Sequence, residues 1–211
     1  AHGASLGQIS EGPNSAGLSL AGVLPHRAPG GKPANTPGRT VAEMVASPPA
    51  GLVLWNVEPA LDLVEGEAAA RAVAAVPFVV ACSPFFDGTL ARQAHVVLPI
   101  GTFAETAGTF VNVAGTWQSF RGVAQPVGES RPGWKVLRVL GNLLEMPGCE
   151  YQSADDVHAE VAALAAGVQV ENRLAGRGDL PSAAGNVDPA GLAIGLYDTD
   201  SLVRRARSLQ L

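Results

Sequence analysis

The sequence predicts an α/β fold: an open, mainly parallel sheet with flanking helices, followed by a β-ribbon or loop and C-terminal helices. Three observations predict it. Residues 51–57 (GLVLWNV), 78–82 (FVVAC) and 95–98 (HVVL) are short apolar runs rich in β-branched side chains, too short for helices. The stretches between them read as helices, and alternating strands and helices imply parallel crossovers. After the third run Pro99 stops the strand, and about twenty residues of Gly, Thr, Ala, Asn and Ser follow with almost no charge. In open α/β sheets, ligands sit at such connections from the carboxyl ends of strands.

In chain order, residues 5–10 read as a short strand, residues 11–14 as a turn, and the Ala/Leu stretch to Leu24 as a helix capped by Asn14 or Ser15. A strand–turn–helix unit can present N–H groups to an anion, but GPNSAG is not GxGxxG, and an ordinary capped connection accounts for it. Residues 25–38 hold four prolines, three glycines and no apolar period, a loop in which His26, Arg27 and Lys32 are solvated. Thr40 caps a short helix ending near Ala46. The run 51–57 is near-continuously apolar, as in a strand buried on both faces. Residues 65–75 read as a helix with Glu65 and Glu67 in its first turn and Glu67 four residues before Arg71. Pro77 ends it, FVVAC is the second buried strand, and a short helix over about 88–94 leads to the third.

Beyond the Gly/Thr-rich loop, Ser130-Arg-Pro-Gly starts a helix to about Glu145, with Trp134, Leu137, Leu140 and Leu144 at helical spacing. Ser153 and Asp156 form a capping box for a helix with Val157, Val161 and Leu164 on one face. Residues 176–195 read as extended. Residues 198–211 read as a short helix whose acids precede Arg204, Arg205 and Arg207. The resulting divisions are an α/β portion with the loop (1–125), a helical segment (126–175) and an extended tail with a terminal helix (176–211).

Hydrophobic residues make up 47% of the chain but aromatics only 5%, so the core is expected from Ala, Val and Leu. Charged residues, at 16%, fall below the usual quarter, which suits a surface partly covered by partners and equally an Ala/Gly-rich bias. A net charge of −5 without a basic stripe argues against nucleic acid. The apolar run 72–86 is short and broken by Pro77 and Pro84, so no direct membrane insertion is expected; no leader pattern opens the chain. Cys82 and Cys149 form no CxxC pair and read as reduced, packed thiols of a cytosolic protein. The start at Ala1 suggests a piece of a longer chain.

Self-contained catalysis is not expected. Glu105 is the only acid between Arg92 and Arg121, so the loop has no acid/base pair. Ser83 and His95 are near in the chain but no nucleophile elbow surrounds Ser83. His2, His26, His95 and His158 are scattered without metal-ligand spacing. Binding is the better prospect: residues 83–86 follow the second strand, and the loop 105–118 offers Gly and Thr backbone with the Asn112 amide. The competing reading is a β-ribbon that packs Phe103, Phe110 and Trp117 onto the sheet.

The stretch VVACSPFFDGTLARQAHVVLPIGTFAETAGTFVNVAGTWQSFRG is similar to the molybdopterin oxidoreductase superfamily pattern: strand–N/S-P–x–x–T, then A-D-V-V-L-P, F-x-E-x-x-G-T-F-x-N and E-G-R-x-Q. Within it, PNSAG, LAGVLPHR and the terminal YDTDSLVRRARSLQL most resemble the molybdoenzyme-like iron–sulphur subunit of bacterial NADH–quinone oxidoreductases (respiratory complex I). The resemblance implies a peripheral arm on the cytoplasmic side of the bacterial inner membrane, with other arm subunits as partners. It also implies iron–sulphur clusters in a cysteine-rich N-terminal part that this sequence lacks, and so no cofactor in this segment; two lone cysteines cannot hold a cluster in the usual four-cysteine manner. Carried over by motif, the vestigial pterin-site candidates are Ser83, Pro84, Glu105, Gly108, Thr109, Asn112 and Gln118. His95 replaces the Asp of the pattern and Ala114-Gly115-Thr116 replaces E-G-R, removing a guanidinium suited to bidentate binding of a phosphate or pterin oxygen. The resemblance therefore implies a cofactor-free docking portion; the alternative is an oxidoreductase fragment retaining part of a pterin-dinucleotide site.

Overall fold

Helix α1 (Ser15–Ala21) ends at Gly22, whose φ of +76° is the left-handed C-terminal conformation that glycine adopts without steric cost. Two short strands follow, β1 (Arg27–Ala28) and β2 (Lys32–Pro33), paired antiparallel around a 3-10 turn, so the Pro/Gly stretch is more ordered than a solvated loop. Helix α2 (Val41–Ala46) starts at Thr40, whose hydroxyl accepts from Glu43 N–H while the Glu43 carboxylate accepts from Thr40 N–H, the expected cap. Strand β3 (Gly51–Trp55), helices α3 (Pro59–Asp62) and α4 (Gly66–Ala74), strand β4 (Phe78–Ser83), helix α5 (Gly88–Gln93) and strand β5 (Val96–Pro99) complete the α/β part. Glu67 and Arg71 on α4 pair at 3.6 Å on the open surface, where such a contact adds little. Hairpin strands β6 (Gly108–Val111) and β7 (Trp117–Phe120) precede helices α6 (Gly133–Leu143) and α7 (Ala154–Leu164). The computed structural model describes residues 12–63, 65–86, 88–168, 197–198 and 200–210.

β3, β4 and β5 form a parallel sheet in sequential order, with Leu54 opposite Ala81 and Ala81 opposite Val97. Right-handed crossovers between sequential neighbours place both connecting helices on one side. That side carries the core: Leu54, Val79 and Ala81 pack with Val73 of α4, Val76 and Leu90 of α5, flanked by Leu52, Ala94 and Val97. The other face is largely open. Val53 is 58% exposed and Phe78 52%, with Val96 also exposed. This corrects the expectation of strands buried on both faces: a continuous apolar run gives burial on both faces only if something covers the second one. At its far end Trp55 lies against Gly133, where a Cβ would come within 2.6 Å of the indole.

His95 serves the sheet: its N–H donates to Val79 O at 2.8 Å and its Nδ1 accepts from Val79 N–H at 3.1 Å, beside the Phe78 ring. Ser153 caps α7 as expected, accepting from Asp156 N–H at 3.1 Å.

The chain divides into two compact units, Gly7–Glu171 and a second made of Ala1–Leu6 with Asn172–Leu211. In the described residues of the second, the expected terminal helix is replaced by two 3-10 turns, Val203–Arg205 and Arg207–Leu209. Asp200 Oδ1 accepts from Leu202 and Val203 N–H and winds the first turn, but extended backbone at Ala206 interrupts any continuous helix. The expected strand over 5–10 and extended segment over 176–195 lie outside the described residues. Among the described residues no helix is long and apolar enough to cross a membrane.

Candidate functional site

The Gly/Thr-rich stretch after β5 folds into a turn and a hairpin whose polar groups bond to one another. Ser83, buried at the carboxyl end of β4, donates its hydroxyl to Phe85 O at 2.8 Å and accepts from Phe85 N–H at 3.1 Å. Pro84 is half-buried within that turn. Glu105 closes a 3-10 turn: its Oε2 accepts from Thr102 N–H at 2.7 Å and from the Thr102 hydroxyl at 2.9 Å, and its Oε1 accepts from Val127 N–H at 3.1 Å. The Thr102 N–H, chief among the causes, holds the carboxyl below its ordinary range; desolvation opposes it, and the Thr102 hydroxyl and the Val127 N–H add to the lowering.

In the hairpin Gly108 pairs with Phe120, Thr109 with Ser119, Phe110 with Gln118 and Val111 with Trp117. Side chains alternate, so Thr109, Ser119 and Trp117 share one face while Gln118 lies on the other with Phe110. A Cβ at Gly108 would fall 2.6 Å from the Phe120 ring, so the glycine makes room for that ring. The Thr109 and Ser119 hydroxyls bond each other at 3.0 Å. Asn112 turns its Oδ1 inward to accept from Ala114 and Thr116 N–H, both at 3.0 Å, and so builds the tip of the hairpin. The candidates are thus spread over the turn after β4, the 3-10 turn before the hairpin, and the hairpin itself, with Ser83, Glu105 and Asn112 bonded to their own segments.

The ribbon forms as expected, but it does not pack Phe103, Phe110 and Trp117 onto the parallel sheet. Phe103 and Phe110 are exposed, Phe110 meets Phe120 edge-on at 5.3 Å, and Trp117 meets His158 of α7 edge-on at 5.4 Å. On its other side β6 is gripped by α1. Asn14, expected as a helix cap, makes no side-chain cap bond; its Oδ1 accepts from Val111 N–H at 2.8 Å and its Nδ2 donates to Thr109 O at 3.4 Å.

A cavity of about 510 Å³ does bring polar groups together: Gly108, Thr109, Ser119 and Arg121 of the hairpin face Asp155 and His158 of α7. Of the sequence candidates only Gly108 and Thr109 reach it. The sequence singles out neither Arg121 nor Asp155 and leaves His158 as one of four scattered histidines, although the Ser153 cap fixes the start of α7 and the i, i+3 spacing of Asp155 and His158 puts them on one helix face. Among the described residues no three His, Cys, Asp or Glu side chains gather as a metal site would require. The arrangement can hold a small polar group through one guanidinium, one imidazole and one carboxylate. The hydroxyl pair is already mutually engaged.

Residues 4–143 match the family model of the molybdopterin oxidoreductases, about two thirds of the chain. The chain belongs to the molybdopterin oxidoreductase family. The three-stranded parallel sheet with flanking helices is consistent with a domain of this type. The chain is also similar to a nitrate reductase of Shewanella frigidimarina (strain NCIMB 400), 29% identical over 116 residues. That alignment covers 55% of this chain and 12% of the relative, so the chain spans only a small part of that protein's length.

Proposed function

We propose that this molybdopterin oxidoreductase domain is a cofactor-free structural and docking portion of the molybdoenzyme-like iron–sulphur subunit of a bacterial NADH:quinone oxidoreductase, whose complex passes electrons from NADH to quinone. One observation carries the reading. The polar side chains that stand as vestigial pterin-site candidates are spent on the loop itself: Ser83 on Phe85, Glu105 on Thr102 and Val127, Asn112 on Ala114 and Thr116. Releasing them to a ligand would leave backbone donors of the loop unmet, at about 1–3 kcal/mol for each one that the ligand shields from water. The terminal YDTDSLVRRARSLQL supports the assignment to that polypeptide in particular. The partners are then other peripheral-arm subunits on the cytoplasmic side of the membrane.

The test is pterin and molybdenum analysis of the purified full-length protein, followed by assay of the complex isolated with it. Less than stoichiometric pterin and NADH:quinone activity in the complex are expected. Stoichiometric pterin bound through this domain, or a complex that reduces nitrate and not quinone, would overturn the proposal.

A second reading has the cavity beside Thr109 in its favour. Arg121 and His158 there can meet an anionic oxygen, and a relative is a nitrate reductase. As a pterin-dinucleotide fragment the protein should lose pterin when Arg121→Ala is introduced.

A further inference from the structure

Helix α6 is amphipathic in sequence, yet of its residues only Gly141 is buried. Val139, Leu140 and Leu143 line a groove of about 430 Å³ together with Leu98 of edge strand β5. Leu143 is 76% exposed. Apolar side chains gathered in one exposed groove and rimmed by polar groups are a setting in which proteins dock partners.

Its charge says what kind of thing. Arg131, Lys135 and Arg138 line the same groove, and no carboxylate among the described residues does, in a chain whose net charge is −5. Arg138 donates Nη1–H to Tyr151 O at 2.9 Å, while its Nε is buried and lacks an acceptor among the described residues. Cations gathered round an apolar trough on an acidic protein are complementary to an apolar ridge flanked by acids. A second copy does not meet that requirement, because a two-fold contact through this face would set the same cations against each other.

We infer that the α6–β5 groove seats an amphipathic helix of a partner protein whose apolar i, i+3, i+4 stripe is flanked by Asp and Glu. This rests on the docking reading above and names its surface and the chemistry of the partner. Leu143 and Leu140 are the apolar anchors; Lys135 and Arg131 steer the acidic flanks.

Photo-crosslinking in the full-length protein within its native complex tests it, with a benzophenone amino acid at position 143. The expected product joins this chain to a different polypeptide, at a helix with acids flanking its apolar stripe. Lys135→Glu, an exposed change that leaves the fold intact by circular dichroism, should lower its yield roughly tenfold. A crosslink within the same chain, to a second copy or to a helix without flanking acids overturns the inference, as does no crosslink or a yield unmoved by Lys135→Glu. In parallel, a synthetic helical peptide with a leucine stripe flanked by Glu should bind the full-length protein, and Leu143→Asp should weaken it roughly thirty-fold, the scale of a lost anchor. Equal binding of a Lys-flanked counterpart, or preferential binding to phosphatidylserine vesicles, overturns it. Neither arm depends on the pterin analysis, so the docking surface and the cofactor-free reading can fail separately.

Discussion

Asn14 does for β6 what a neighbouring strand would do, offering one acceptor and one donor along its edge. Val111 is 3% exposed, so water cannot replace the lost acceptor in Asn14→Ala. That variant should lose about 1–3 kcal/mol, read as a lower urea midpoint at unchanged slope. Glu105 makes a different kind of prediction. Its folded carboxyl is held below its ordinary range, so its contribution is present above the unfolded value of about 4.3 and is lost as pH falls through the lower folded value. Glu105→Gln should therefore be less stable than the native chain at neutral pH, with the gap closing in acid; a gap that stays constant down to acid pH would assign the effect to shape and not to charge. Glu43 and Asp156 bond within three or four residues, and Thr40 and the Ser153-x-x-Asp156 box are readable as caps for that reason, whereas Glu105 reaches back three residues to Thr102 and also across 22 to Val127. Asn14 was not, because its partner lies 97 residues away and nothing local marks it.

At the scale of elements, α6 shows why propensity and packing must be weighed together. Gly141 sits inside the helix, where alanine is ordinarily favoured by roughly 1 kcal/mol. Here a Cβ would lie 2.3 Å from Cys149 Sγ and 3.0 Å from its Cβ. Gly141→Ala should thus destabilise the protein, and Cys149→Ala in the same chain should recover part of the loss; denaturation of both single variants and the double one gives the coupling. Simple additivity would show that the thiol is not the obstacle. The positions of α4, α5, α6 and α7 followed from period and caps to within a few residues. The terminal segment did not, because acids before arginines favour helical turns without deciding whether Ala206 joins them. The sequence offers the hairpin as one of two readings, but its packing on α1 and α7 depends on Trp117 and His158 meeting across 41 residues, beyond any periodic signal.

For the molecule as a whole, the sheet is built on one side only. The sequential order of its strands sends both crossovers to the face of Leu54 and Ala81, and the apolar runs themselves look alike whether one face or two are covered. Even so the central strand is protected. Cys82 is 2% exposed, and burial pushes its thiol up, away from the reactive thiolate. Of the two cysteines, Cys149 should react with a thiol reagent under native conditions, and Cys82 only along the urea unfolding transition. Mass spectrometry of the labelled protein reads this directly, and native labelling of Cys82 would mean that β4 opens without global unfolding.

The clasp between Asn14 and Val111 also has a clock in it. Translation at 5–20 residues per second delivers Val111 roughly 5–20 s after Asn14. For that interval α1 leaves the ribosome with an amide that has nothing to grip, while the sheet between them can already assemble. Loop-closure entropy grows only slowly with length, so insertions between the two would delay this closure far more than they would weaken it. A chain stopped anywhere short of β6 never closes it.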